Sequence, residues 1–406
     1  MKVGIIGLGR VGLPLALVFA SRGIQVIGMD IENDRIKMLQ QGKMLFIEDG
    51  AEEILRTVIG KALNVATSNK EVMNTDAVIL TLGTPVDDFM NPDYSQIETA
   101  LSDMTPHLKR EQLIILRSTV SPGTTEYVKD YIEKRTDFKV GEDLFLAYCP
   151  ERIAEGKAIK ELFELPEIIG ALDEKSASKA EGLFKNIKNE IYKTSATNAE
   201  LLKLFTNMYR YINFAIANEF MIIAEQFGGN IYKIVELASK NYPRGGPARP
   251  GFTAGPCLFK DGFFLANKIP FPELICSAWK INETIPYYLI EKVKELKSLK
   301  DAEVGVLGLS FKADMDDTRA SLSFKLIKIL KREGAQVRIH DIYVKNDDLE
   351  DFLKGLDVLI VATAHKQYRD LPLSHYQRFV EQDCVVVDIW SIFGKSKIIW
   401  KINSDA

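Results

Sequence analysis

Apolar and polar positions along residues 1–195 switch repeatedly between two periods. Strand-like apolar stretches fall at Val3–Ile6, Val26–Asp30, Ala77–Leu82, Ile114–Arg117, Phe145–Cys149, Ile168–Gly170 and Glu190–Lys193, with helical periodicity between several of them. Near-continuous apolar strands alternating with helices predict a mostly parallel sheet covered on both faces. One long helical pattern follows from Thr197 to Phe227. Thr197 with Glu200 fits a capping box, and Gly228-Gly229 fits a stop. About 30 helical residues span roughly 45 Å. Its middle, Tyr209–Ile223, is apolar on more than one face, so burial on several sides is expected. Shorter helices are expected over 230–240 and 273–298, around an irregular stretch at 242–260. A second strand–helix alternation starts near residue 300, with strands at Val304–Leu307, Val337–His340, Val358–Ala362 and Val385–Asp388.

The expected fold is α/β: two Rossmann-like, doubly wound parallel-sheet domains joined by a long central helix and a small helical domain. The boundaries read as 1–195, 196–298 and 299–406. At 406 residues the chain exceeds one ordinary core.

Composition narrows the partners. A hydrophobic share of 46% with 27% charged residues is that of a globular protein, not a membrane or disordered one. The net charge of −4 and the lack of a basic run argue against nucleic acid. No segment reaches the roughly 18–20 apolar residues of a membrane helix, so no membrane partner is expected. The chain enters a strand at once, which leaves no room for a signal peptide. The cysteines at 149, 257, 276 and 384 form no CxxC pair and no zinc-like spacing with histidine. No metal is expected, and a reducing cytoplasm is the simplest setting.

Gly7-Leu-Gly9-Arg10-Val11-Gly12 follows the first strand and opens a helix. Gly7 permits the tight turn, Gly9 lets backbone amides approach a pyrophosphate, and Gly12 lets helix and strand pack closely. Asp30 ends the next strand, where a carboxylate can accept from a ribose hydroxyl. That acid favours NAD over NADP, although Arg35 lies near enough to meet a 2′-phosphate. Thr84-Pro85, Ser118-Thr119, Glu151 and Glu155 follow later strands, at the carboxyl ends where such sheets gather ligands. Each also suits a cap or a turn.

Cys257 stands among Gly251, Gly255 and Pro256 and just before Lys260-Asp261. A loop thiol beside a lysine suits nucleophilic chemistry, whereas Cys384 in Cys-Val-Val-Val reads as core. A dehydrogenase that only interconverts alcohol and carbonyl needs no thiol. One that proceeds to the acid can trap the aldehyde on sulfur and release the product from a thioester. Lys203 and Asn207 are four apart on one face of the long helix. The four histidines, 107, 340, 365 and 375, belong to none of these motifs.

These blocks, together with Phe311-Lys-Ala-Asp-Met-Asp-Asp-Thr-Arg319, resemble the UDP-glucose/GDP-mannose dehydrogenase superfamily over nearly the whole chain. The resemblance implies NAD-dependent, four-electron oxidation of a sugar C6 hydroxyl to the acid. It implies Cys257 as nucleophile, Asp261 in proton transfer, and Lys203 and Asn207 at the oxyanion. It also implies Glu155 in thioester hydrolysis, with Thr119 holding the water. Substrate contacts are implied for Glu151, Arg152, Gly255 and Lys260, with Lys312 and Arg319 reaching the nucleotide phosphates. The arginine that the family offers across a subunit boundary falls at Arg244 or Arg249, and the apolar middle of the long helix suits either a homodimer through that helix or a core helix of a single subunit. One departure is plain: Ala254-Gly255 replaces a glycine pair, and Pro256 supplies no N–H before Cys257. The Pro150-Glu-Arg-Ile-Ala-Glu-Gly block looks closest to members acting on UDP-N-acetyl-mannosamine or -glucosamine. The alternatives are a UDP-glucose 6-dehydrogenase and, more remotely, a two-electron β-hydroxy-acid dehydrogenase.

Overall fold

The computed structural model describes residues 1–266 and 269–404. Eight strands make the first sheet: β1 (Lys2–Ile6), β2 (Gln25–Met29), β3 (Leu63–Ala66), β4 (Ala77–Leu80), β5 (Leu113–Leu116), β6 (Phe145–Tyr148), β7 (Glu167–Ala171) and β8 (Ile191–Ser195). Their order is 3-2-1-4-5-6-7-8, and every pairing is parallel except that of β6 with β7. Every residue of β4, β5 and β6 is buried, as the unbroken apolar runs require. The strand order reverses direction about β1 and β4, and that crevice is where such sheets bind ligands. The strand β3 was not foreseen. It is four residues long with an exposed Asn64 in the middle, too weak a pattern to separate from a turn.

The second sheet holds β9 (Glu303–Leu307), β10 (Gln336–His340), β11 (Val358–Val361), β12 (Val385–Val387) and β13 (Ile399–Lys401) in the order 10-9-11-12-13. It is parallel apart from the β12–β13 pair. The chain thus contains two α/β sheet domains with a 31-residue spine helix, Ala196–Gln226, between them in sequence.

The polypeptide forms two compact units. One takes Met1–Thr206 with Phe263–Ile269, and the other takes Asn207–Gly262 with Pro270–Ala406. In the second unit the helical segments share one core with the C-terminal sheet: Met221, Ile231, Ile285 and Leu289 pack in the same cluster as Val304, Leu326 and Ile360.

The expected Thr197–Glu200 capping box does not form. The helix begins at Ala196, so Thr197 already lies inside it, and Ser195 Oγ accepts from Asn198 N at 3.2 Å. Glu200 instead serves another helix. Its carboxylate accepts from Gly123 N at 2.7 Å and from Thr125 N at 2.8 Å, satisfying free amides at the start of Thr124–Glu133. The expected burial of Tyr209–Ile223 on several sides is partial in the single chain, where Tyr211, Ala215, Ala217 and Met221 are buried. Tyr209 is 73% exposed, and Ile216, Phe220 and Ile223 are exposed with it. Among the described residues, no helix is long and apolar enough to cross a membrane.

Candidate active site

The glycine turn after β1 is shaped by what surrounds each glycine. Gly7 has φ +98°, which disfavours a side chain, and a Cβ there would lie 2.6 Å from Thr81 O. At Gly12 a Cβ would fall 1.9 Å from Gly7 O, so helix and turn touch directly. A Cβ on Gly9 would meet nothing within 4 Å. That open approach to backbone suits a dinucleotide's pyrophosphate. Thr81, not singled out in the sequence, ties the turn to β4 by donating to Ile6 O at 3.0 Å and Gly7 O at 2.6 Å. Asp30 accepts from Leu8 N at 2.9 Å and Glu32 N at 3.0 Å. Arg35 pairs with Asp30 at 3.4 Å and with Glu32 at 3.1 Å, so its charge is already balanced by two carboxylates.

The other ligand candidates of this unit follow the C-terminal ends of neighbouring strands. Thr84 and Pro85 come after β4, and both are half-buried. Ser118, after β5, donates to Leu82 O at 2.6 Å, and the half-buried Thr119 follows it. Glu151 follows β6 and is buried against Arg117, with Oε2 2.9 Å from Nε. Its other oxygen accepts from Arg152 N at 2.8 Å and Ile153 N at 3.0 Å. Burial opposes its charge, but Arg117 and these amides outweigh it and hold the carboxyl below its ordinary range. Arg117 also grips Glu167 at 2.8 Å. The sequence signal for this triad was a lone arginine ending the apolar run Leu113–Leu116. The Arg152 side chain donates to Pro166 O.

Glu155 faces Arg10 at 3.9 Å, and the Arg10 guanidinium lies 4.8 Å from the Phe46 ring centre. The loop that carries Glu155 is held by Glu48, another residue missed in the sequence, which accepts from Gly156 N at 2.9 Å and Ala158 N at 2.6 Å. Lys203, half-buried on the spine helix, lies close enough to Glu151 to favour its charge.

The second unit holds the thiol. Cys149 and Cys384 are buried, and burial pushes both thiols up, Cys384 to about 12. Cys257 is exposed at the head of the short helix Leu258–Asp261. Asp261 is fully buried in that helix, accepting from Asn207 Nδ2 at 2.6 Å and pairing with Lys260 Nζ at 2.9 Å. Asn207, Asp261 and Lys260 thus form one polar chain beside the cysteine backbone.

Gly255 has φ +104°, and a Cβ there would lie 2.6 Å from the Phe311 ring. Its N–H donates to Ala320 O at 3.3 Å. Lys312 is half-buried and Arg319 exposed; Arg319 forks onto Asp317 with contacts of 3.0 and 2.6 Å. Arg244 stacks on Tyr242 at 4.5 Å and Arg249 is exposed. Among the described residues, no cluster of His, Cys, Asp or Glu could hold a metal ion.

The C-terminal sheet repeats the N-terminal device. Gly308 follows β9 with φ +95°, Leu309 N donates to Asp341 Oδ2 at 2.6 Å, and Thr363 occupies the place that Thr81 has beside Gly7. Two dinucleotide-type sheets and an exposed, lysine-flanked thiol define a nucleotide-dependent oxidoreductase.

The comparisons agree and are finer. Residues 1–188, 197–284 and 305–395 match the NAD-binding, central and UDP-binding domains of the UDP-glucose/GDP-mannose dehydrogenase family. A UDP-N-acetyl-D-mannosamine dehydrogenase of Pyrococcus horikoshii is 36% identical over 91% of each chain. A solved structure of UDP-D-ManNAc dehydrogenase from Pyrococcus horikoshii superposes with a TM-score of 0.90 at 34% identity, over 96% of this chain and 95% of that one. A UDP-glucose dehydrogenase structure from Pyrobaculum islandicum superposes at 0.85 with 28% identity, over 95% and 93%. The chain belongs to the UDP-glucose/GDP-mannose dehydrogenase family. It is an NAD-dependent nucleotide-sugar dehydrogenase.

Proposed function

We propose that this enzyme oxidises the C6 hydroxyl of UDP-N-acetylmannosamine to the carboxylate. The observation that carries the chemistry is the exposed Cys257 beside the buried Asn207–Asp261–Lys260 chain. The substrate rests on relatives that span nearly the full chain, of which the Pyrococcus horikoshii enzyme is one. Gly7, Gly9, Arg10, Val11, Gly12 and Asp30 would hold NAD, which when bound would supply a hydride acceptor at C6, one NAD for the first oxidation and a second NAD for the next.

Asp261, through a water, takes the hydroxyl proton as the aldehyde forms. The Cys257 thiolate adds to the aldehyde carbon, and Lys203 and Asn207 stabilise the resulting oxyanion. The second oxidation turns this thiohemiacetal into a thioester. Glu155 and Thr119 direct water onto the thioester, releasing the acid and restoring the thiol. Glu151, in this scheme, shapes the sugar pocket through the Arg117 network and does not give up its charge. Arg152, Gly255 and Lys260 line the sugar, Thr84, Pro85, Ser118 and Arg35 the cofactor, and Lys312 and Arg319 the phosphates. Residues 1–195, 196–298 and 299–406 are the corresponding functional segments.

The enzyme works as a homodimer. The exposed Tyr209, Ile216, Phe220 and Ile223 recur at helical spacing along the spine helix, with Phe227 exposed just past its end, and a second copy would cover that stripe. Arg244 or Arg249 would then enter the partner's site. The four cysteines form no disulfide, which suits a reducing, cytoplasmic setting.

The test is a panel of UDP- and GDP-sugars with NAD or NADP, read as reduced nicotinamide and as the mass of the acid. UDP-N-acetylmannosamine with NAD should give the highest kcat/KM. A preference for UDP-glucose, or for NADP, would overturn the assignment.

A further inference from the structure

His365 is fully buried, and no motif claimed it. Its two ring nitrogens have different tasks. Nδ1 accepts from Asp314 N at 2.9 Å, so it carries no proton. Nε2 lies 3.1 Å from Asp341 Oδ2 and 3.3 Å from Ser310 Oγ. A carboxylate only accepts, so Nε2 carries the hydrogen. The ring is therefore held in one orientation by partners on both sides.

Two of these partners, Ser310 and Asp314, belong to one loop, and Asp341, just after β10, holds the same loop. Asp341 also accepts from Leu309 N and Ser310 N, at 2.6 and 3.1 Å. Ser310 Oγ donates to Lys312 O at 2.9 Å, and Thr363 Oγ1 donates to Ser310 O at 2.6 Å. Phe311 N donates to Asp317 O at 2.9 Å, which closes the loop on itself. The thiol loop rests on its outer side, because Gly255 abuts the Phe311 ring and bonds to Ala320 O. A tilt of Phe311 would displace Gly255, two residues from Cys257.

We infer that His365 is a positioning residue for the reaction: it pins the loop 309–320, and that loop sets both the Lys312–Arg319 side of the nucleotide site and the seat of the Cys257 loop. The inference rests on the proposed roles of Cys257, Lys312 and Arg319. It implies that occupancy of the nucleotide site is felt at the thiol within one unit, through the Phe311–Gly255 contact.

The experiment compares full-length wild type, His365→Ala, His365→Gln and Ser310→Ala. It measures UDP affinity, kcat/KM for the sugar nucleotide, the iodoacetamide labelling rate of Cys257 with and without UDP, and NAD affinity. For His365→Ala, kcat/KM should fall roughly 10- to 100-fold, as expected when a reacting group is displaced by about 1 Å. UDP should bind more weakly and should lose its influence on Cys257 labelling. NAD affinity, set by the other unit, should stay within about twofold of wild type. His365→Gln keeps a donor toward Asp341 and should recover part of the loss. Should His365→Ala fail to fold, Ser310→Ala tests the same loop without a large cavity. Wild-type kcat/KM and UDP-sensitive labelling in His365→Ala would overturn the inference. So would an equal loss of NAD and UDP affinity, which marks general destabilisation. Full uronate production by Cys257→Ser would instead sink the nucleophile assignment, leaving the UDP affinities to decide on His365.

Discussion

Replacing Asn218 by alanine should loosen the thiol loop and weaken the second unit. Asn218 and Asn282 are both fully buried. Asn218 Oδ1 accepts from Gly251 N at 2.9 Å, its Nδ2 donates to Asn282 Oδ1 at 2.9 Å, and Asn282 Nδ2 donates to Tyr211 O at 3.2 Å. The pair therefore joins the spine helix, the helix Glu273–Lys294 and the strand of chain leading to Cys257. Truncation strands the Gly251 N–H and Asn282 Oδ1 without partners. Each orphaned buried group costs about 1–3 kcal/mol, so the loss is about 2–6 kcal/mol. For a unit of this size that lowers the midpoint by roughly 5–20 °C. Differential scanning calorimetry reads the shift, with NAD affinity as a control on the first unit.

A double-mutant cycle with Asn282→Ala sharpens the test. The double variant no longer strands the two facing amide groups, so its loss should fall short of the sum by about 1–2 kcal/mol. Turnover should drop as well, because Gly251 is wedged under Trp390, where a Cβ would be 2.4 Å from the indole, and cannot shift inward. An Asn218→Ala protein that melts within about 1 kcal/mol of wild type, with additive losses, would refute this reasoning.

Gly12→Ala places a methyl 1.9 Å from Gly7 O and should abolish NAD binding in fluorescence titrations. Gly9→Ala, with open space around it, should fold normally and weaken NAD only by crowding the pyrophosphate. Asp341 should stabilise the fold at all but very low pH. Burial alone would raise its carboxyl, but the His365 ring and the Leu309 amide outweigh burial and hold it at about 2, against an ordinary 3.8. The depressed value means that about 2 kcal/mol is present above pH 4 and lost as pH falls toward 2. Asp341→Asn should remove that loss from the acid limb of urea midpoints measured against pH. Phe220→Asp should shift sedimentation toward monomer if the apolar stripe is the dimer seam, and an unchanged oligomer would exclude that seam.

Sheet-level organisation was legible because β4, β5, β6 and β11 are buried on both faces and so carry unbroken apolar runs. The glycine turn was legible because it needs glycine at fixed offsets. Long-range polar tasks were not. Glu200 looked like the partner of Thr197, three residues away, yet it caps a helix 75 residues upstream, and no local pattern encodes that choice. Glu48, Arg117, Thr81 and His365 act on loops distant in sequence, so their spacing carries no signature. The exposed spine-helix stripe read as buried because periodicity reports that a face is apolar, not which surface covers it.

The most direct measurement counts reduced cofactor against acid formed. With the preferred sugar nucleotide, each molecule of uronate should be accompanied by two of NADH, and a rapid acid quench should catch the sugar attached to Cys257 as a thioester. One NADH per product, or release of an aldehyde with no adduct on Cys257, would contradict the mechanism.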